Sequence, residues 1–277
     1  MAVGCGRCVP CRVHRRRVWS ARQVLESYLH DASCFVTLTY DDDHLPEGEN
    51  LDPTEFKNWL KRLRKELSNA GRPKIRFYGC GEYGSKGMRP HYHANLFGMS
   101  PFDGEILRKS WTLGFSHIGT FSPASANYVG SYVVKGWTRK DDRRLSGKVP
   151  EFARMSNRPG LGADAMTILA DRFQTEAGKH ALQVLGDAPD HFRFRGRKMP
   201  IGRYLKNKLR ETLYTEEEIE EIKQKIITEA TEDVCFLLDR SIRDGTSHSA
   251  SELVAREALG RIIQIEAAER RNEKGTL

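Results

Sequence analysis

Arg89-Pro90-His91-Tyr92-His93-Ala94-Asn95-Leu96-Phe97-Gly98 is the stretch from which the rest of the chain can be read. On a strand, successive side chains point to opposite faces. His91 and His93 then share one face, while Tyr92, Ala94 and Leu96 share the other. The apolar set is suited to pack on helices, which leaves the two imidazoles on the open face of a sheet. Two imidazoles one residue apart make two-thirds of a facial metal site.

A third ligand stands upstream. Residues 75–80 (IRFYGC) read as a second strand, and Gly81-Glu82-Tyr83-Gly84 ends it. A hairpin turning at 84–87 folds Glu82 back beside His91. One carboxylate with two imidazoles suits Mg2+ or Mn2+ acting on a phosphate oxygen.

Working outward, Cys34-Phe35-Val36-Thr37-Leu38-Thr39-Tyr40 is dense in β-branched and aromatic residues and predicts another strand. It stops at Asp41-Asp42-Asp43, read as a solvated acidic loop. Asp52-Pro53-Thr54-Glu55 supplies an N-cap, a first-turn proline and a capping-box glutamate. The helix it opens carries Phe56, Trp59, Leu60, Leu63 and Leu67 on one face. Towards the N-terminus, Val18, Ala21, Leu25, Tyr28 and Leu29 recur at helical spacing over 12–30, with Arg15, Arg16 and Arg22 opposite. Downstream, 116–119 is a short strand. Ser122-Pro123 opens a helix to about Lys135, with Gly136 as its cap. Strand, helix, three strands and helix is the order of an α+β fold, an antiparallel sheet with helices packed on one face, close to ferredoxin-like.

Tyr128 and Tyr132 lie four apart on that last helix, so their hydroxyls share a face, and Lys135 joins them. A tyrosine attacks a phosphodiester only when its proton is removed and the departing charge is neutralised. A nearby ammonium and a metal on the phosphate meet those needs.

Beyond Gly136 the pattern weakens. Residues 137–160 read as loop and 163–185 as one helix; 191–210 are strongly basic without one acidic residue. Thr215-Glu216-Glu217-Glu218 is a capping box opening two helices broken around Gly245. The expected organisation is 1–30 as an N-terminal cysteine cluster and basic helix, 31–210 as the main domain with its basic extension, and 211–277 as a helical C-terminal extension.

The net charge of +8 and pI of about 9.2 point to a polyanionic partner. Candidate DNA contacts are Arg15, Arg16, Arg17, Tyr40, Arg89, Arg193, Arg195, Arg197 and Lys198, with Phe192, Phe194 and Tyr204 to stack on bases. No apolar run of membrane-spanning length and no apolar leader segment occur, so no membrane partner and a cytosolic location are expected. Three of the six cysteines crowd at Cys5-x-x-Cys8-x-x-Cys11. They suit a structural Zn2+ with His14, Cys34 or Cys80 as fourth ligand, or reduced thiols.

In combination and in this order, Phe35 to Tyr40, His91-Tyr92-His93 and Tyr128-x-x-x-Tyr132-x-x-Lys135 resemble the three motifs of HUH-superfamily rolling-circle endonucleases. They are most similar to replication initiators of the gokushovirus-like Microviridae, whose Cys-Gly-x-Cys-x-x-Cys, Gly-Glu-Tyr-Gly, Arg-Pro-His-Tyr-His and Glu-Phe-x-Arg-Met-Ser segments match Cys5 to Cys11, Gly81 to Gly84, Arg89 to His93 and Glu151 to Ser156. The resemblance covers roughly residues 1–210. It implies an HUH endonuclease domain of ferredoxin/RRM-like fold, metal at Glu82, His91 and His93, alternating nucleophiles Tyr128 and Tyr132, and Lys135 as electrostatic helper. The implied activity is metal-dependent, site-specific nicking of a circular phage origin, through a 5′-phosphotyrosine, with rejoining of the displaced strand. Single-stranded and origin DNA are the implied partners, host polymerase and helicase further ones, and the bacterial cytoplasm the implied place. The alternatives are an HUH relaxase or transposase, though relaxases usually carry three clustered histidines, and a non-catalytic zinc-dependent nucleic-acid-binding protein.

Overall fold

The computed structural model describes residues 8–84, 87–131, 143–246 and 248–274. Its first part runs α1 (Val9–Ser27), β1 (Ser33–Tyr40), α2 (Pro53–Asn69), β2 (Arg76–Tyr83), β3 (Pro90–Phe97), α3 (Gly104–Ser110), β4 (Gly114–Thr120), α4 (Pro123–Ser131) and β5 (Phe152–Met155). The strands form one antiparallel sheet in the order β4-β1-β3-β2-β5. This is the α+β architecture that the sequence predicts.

Alternation decides which side each residue serves. Val36, Leu38 and Tyr40 of β1, with Tyr92, Ala94 and Leu96 of β3, meet Phe56, Trp59, Leu60, Leu63 and Leu67 of α2 in the main core. Each such side chain contributes about 1.5–3 kcal/mol when fully buried. The polar ends buried with them are satisfied: Trp59 Nε1 donates to Ser110 Oγ at 3.1 Å, and the Tyr40 and Tyr92 hydroxyls share a 2.9 Å bond. Gly79 lies under Phe56, where a Cβ would come within 2.4 Å of the ring, so only glycine lets α2 sit this close to β2.

Helix α2 starts as expected at Pro53, with the Asp52 carboxylate accepting from Thr54 N at 2.7 Å. The expected capping-box role of Glu55 is not made. Its carboxylate takes Arg62 Nη2 at 2.6 Å, a stronger charge-assisted bond than a backbone amide offers.

The opposite face of the sheet is also partly covered. Helices α1 and α4 pack on each other across β3 and β2. Gln23 and Asn95, both fully buried, tie the layers together: Asn95 Nδ2 donates to Gln23 Oε1 at 2.7 Å, and Gln23 Nε2 donates to Ala126 O at 3.1 Å. Helix α1 is therefore built into the sheet domain, rather than into a separate N-terminal unit ending at residue 30.

The remaining elements are α5 (Ala165–Phe173), α6 (Glu176–Leu185), β6 (His191–Phe194), β7 (Arg197–Pro200), α7 (Gly202–Leu213), α8 (Glu216–Arg243) and α9 (Ala250–Lys274). Leu25 of α1 packs with Met166, Leu205 and Leu209 of α5 and α7. The single helix expected over 163–185 is two, because Thr175 caps α6 by accepting from Gly178 N at 3.1 Å. The loop expected over 137–160 contains β5, whose four residues are too few to show a period and take their pairing from β2. Seven-residue α3 is likewise below the length at which periodicity shows. The basic 191–210 segment folds as the β6–β7 hairpin followed by α7. Helix α8 carries the expected reciprocal Thr215–Glu218 capping box. Among the described residues no helix is long and apolar enough to cross a membrane.

Candidate nucleolytic site

The register sets the site in two rows. Thr39, His91 and Glu82 stand side by side across β1, β3 and β2, and Thr37, His93 and Cys80 form the next row. Directly paired residues share a face. Glu82 therefore lies beside His91, as the expected hairpin requires, on the face away from α2.

Within the rows the closest contacts are diagonal. Glu82 Oε1 is 2.7 Å from His93 Nε2. Both side chains are almost sealed, at 5% and 6% exposure. The other ring nitrogen of His93 meets Thr37 Oγ1 at 2.9 Å, and the Phe35 ring stacks on the imidazole at 5.7 Å with an 8° tilt. Thr37 and Phe35 thus hold the ring in plane, roles that the sequence reading missed although strand alternation already put both on this face.

Tyr128 comes from above. The Gln23 tie to Ala126 and the bond from Asn95 Nδ2 to Ser125 O (3.3 Å) hold α4 over β3. Ser122 and Ser125 exchange backbone and side-chain bonds at its start. From this anchored turn the Tyr128 hydroxyl donates to Glu82 Oε1 at 3.0 Å and lies 3.4 Å from His93 Nε2. Its ring stands edge-on to His93 at 5.2 Å and to Phe35 at 6.1 Å, and it is 42% exposed. A buried carboxylate–imidazole pair is thereby joined to a hydroxyl that solvent can reach.

The donor chemistry of Glu82, His91 and His93 fits a divalent ion, and His91 Nδ1 is a buried nitrogen with no hydrogen-bond partner among the described residues. As they stand, the groups are not gathered into a ready ligand set: among the described residues no three His, Cys, Asp or Glu side chains are placed to hold a metal. The Glu82–His93 bond engages two of the donor atoms, and the His91 and His93 rings are perpendicular with centroids 6.4 Å apart. An ion would take the place of the proton between Glu82 and His93.

Tyr132, Lys135 and Cys5 fall outside the described residues. Cys8 precedes α1 and Cys11 lies within it. Cys34 does not suit the expected role of fourth zinc ligand, since it is buried in the core on the α2 face with the sheet between it and α1. Cys80 packs with Tyr78, Phe97, Val129 and Leu161.

The expected DNA contacts divide. Tyr40 is a correction: it shares the parity of Val36 and Leu38, so its ring is in the core and 2% exposed. Phe192 packs on the α5–α7 cluster, and Tyr204 accepts from Gly160 N under the Arg22 guanidinium, so both are structural. Arg89 fastens Tyr40 O and Asp42. Arg15 and Arg16 lie along α1, and Arg193 is exposed on β6. Arg17, Arg195, Arg197 and Lys198 line, with Phe194, a groove of about 780 Å³ between α1, the start of α4 and the hairpin. Arg17 Nη2 donates to Lys198 O at 3.3 Å across it. The groove reaches Asn127, next to Tyr128.

An antiparallel α+β sheet with a His-x-His strand beneath a tyrosine helix is the class of domain defined by this geometry. Residues 33–137 match the model of a family described as replication-associated protein ORF2, a span holding Glu82, His91, His93 and Tyr128. Replication-associated protein ORF2 of Spiroplasma virus 4 is 34% identical over 180 residues, 58% of this chain and 56% of that protein. Replication-associated protein VP4 of Bdellovibrio phage phiMH2K is 33% identical over 161 residues, 51% of each chain. Replication-associated protein ORF4 of Chlamydia phage 1 is 28% identical over 151 residues, 47% of this chain and 37% of that one. The chain spans about half the length of the first two. No solved structure matches it. The resemblance to Microviridae replication initiators, drawn from the motifs, is borne out by these similarities.

Proposed function

We propose that the chain initiates rolling-circle replication of a circular phage DNA by nicking its origin with a tyrosine nucleophile. The observation that carries this reading is the Tyr128 hydroxyl, 3.0 Å from Glu82 and 3.4 Å from His93. That is the reach over which a general base takes a proton.

The groove and α1 hold the single strand by its phosphates. Glu82 or His93 accepts the Tyr128 proton as the phenolate oxygen bonds to phosphorus. The bond from phosphorus to the 3′ oxygen breaks, leaving a 5′-phosphotyrosine and a 3′-OH primer for a host polymerase. Mg2+ or Mn2+ bound by Glu82, His91 and His93 supplies charge neutralisation at the scissile phosphate. Tyr132 serves as the second nucleophile and Lys135 as its electrostatic helper. The freed 3′-OH then attacks the first phosphotyrosine and closes the displaced circle. The phosphodiester bond energy is kept in the adduct, so joining needs no nucleotide cofactor. A structural Zn2+ on Cys5, Cys8 and Cys11, a host helicase as partner and action in the cytoplasm of the bacterial host complete the proposal.

The test is incubation of the full chain with a labelled single-stranded origin oligonucleotide and Mn2+, followed by mapping of the covalent peptide. An adduct on Tyr128 or Tyr132 is expected, and none in the Tyr128→Phe/Tyr132→Phe double variant. Nicking of a supercoiled origin circle by that double variant would overturn the assignment.

A further inference from the structure

The two rows that carry the site do not stop at β1. Register continues them onto the edge strand β4, where Phe115 pairs with Thr39 and His117 with Thr37. One row therefore reads Phe115, Thr39, His91, Glu82, and the next His117, Thr37, His93, Cys80. Neighbouring strands lie about 4.8 Å apart, so Phe115 is roughly 10 Å from His91 across the sheet.

This end of the face is open. Helices α1 and α4 cover β3 and β2, and no described ring stacks on Phe115, which is 71% exposed. Its neighbour across the ladder is a threonine, so no apolar side chain of the sheet shelters it. His117 is also exposed and makes no hydrogen bond among the described residues. Two flat rings on one face of a strand, two residues and about 6.8 Å apart, form a platform. Aromatic rings on an open sheet face receive unpaired bases, because every base has a flat apolar face to stack.

We propose that Phe115, with His117 beside it, is a stacking platform for bases of the single-stranded DNA next to the scissile phosphate. The proposal rests on the reading above that single-stranded DNA is the substrate. It adds a subsite at the far end of the site rows from Glu82, separate from the basic groove. The groove grips phosphates on one side of Tyr128, and the platform holds bases over the open sheet.

The probe is a fluorescein-labelled oligodeoxythymidine, bound by the full chain in EDTA so that nothing is cleaved, and followed by anisotropy. Phe115→Ala is expected to weaken binding about tenfold, within the range of one base stacked on an aromatic ring. Phe115→Tyr and Phe115→Trp should restore it, and the new tryptophan should be quenched on binding. A blunt duplex of equal length should bind parent and Phe115→Ala alike. The proposal fails if Phe115→Ala binds the single strand as tightly as the parent. It fails equally if the parent does not bind the oligonucleotide, or if Phe115→Leu restores binding as fully as Trp. The covalent-adduct assay reports on nicking separately. An adduct with no Phe115 effect removes only the platform, whereas a Phe115 effect without an adduct removes only the nicking.

Discussion

The same strands build both faces of the sheet, and the two faces have opposite characters. Towards α2, β1 and β3 present an apolar surface whose buried polar ends, on Tyr40 and Tyr92, pair with each other. Towards α1 and α4 they present Thr37, His91, His93 and Asn95, with every second residue polar. One face is held by area removed from water and the other by directed bonds. A change on the first should cost stability, and a change on the second should cost chemistry.

The strongest way to break that division is Glu82→Gln. Nicking should fall by about 10²–10⁴, the usual effect of losing an acid–base group, with little change in the thermal midpoint. A large loss of stability instead would make Glu82 a structural residue. On the other face, Trp59→Ala should lower the unfolding free energy by about 3–5 kcal/mol, read by urea denaturation. Oligonucleotide affinity measured well below the new midpoint should be unchanged.

Thr37→Val sharpens the comparison because it alters one hydrogen bond and little volume. The hydroxyl can donate to or accept from His93 Nδ1, so it can orient the ring both with and without an ion. Mn2+ affinity by calorimetry is expected to fall about 10–100-fold. An unchanged affinity would mean that Phe35 alone sets the ring.

The smallest effect is a pH dependence placed behind the polar face. Glu26 is buried, which alone would raise its pKa, yet bonds from His30, Gly162 N and Arg76 hold the carboxyl below its ordinary value. A lowered folded-state pKa means stability that is fully present above the unfolded carboxylate value. It is lost as pH falls through the folded one. Acid unfolding of the parent should therefore begin below about pH 4.5, and Glu26→Gln should flatten that limb.

Much of this was legible because alternation is a local rule. His91, His93 and Glu82 needed only strand parity and one hairpin, and the α2 face needed only helical spacing. Tyr40 was misread by ignoring the same parity, which ties it to Val36 and Leu38. The α1–α4 layer was not legible, because the Gln23–Asn95–Ala126 tie joins residues far apart in the chain through bonds that no periodicity announces. Strand β5 depends in the same way on a partner edge supplied by β2.

The alternation of β3 also has a genetic consequence. One codon inserted near Tyr92 would exchange the two sets of side chains beyond it, sending an imidazole into the core and an aliphatic group to the phosphate. Length changes in this gene are therefore expected to be purged between codons 90 and 97. They should be tolerated in the connections, where no parity has to be kept.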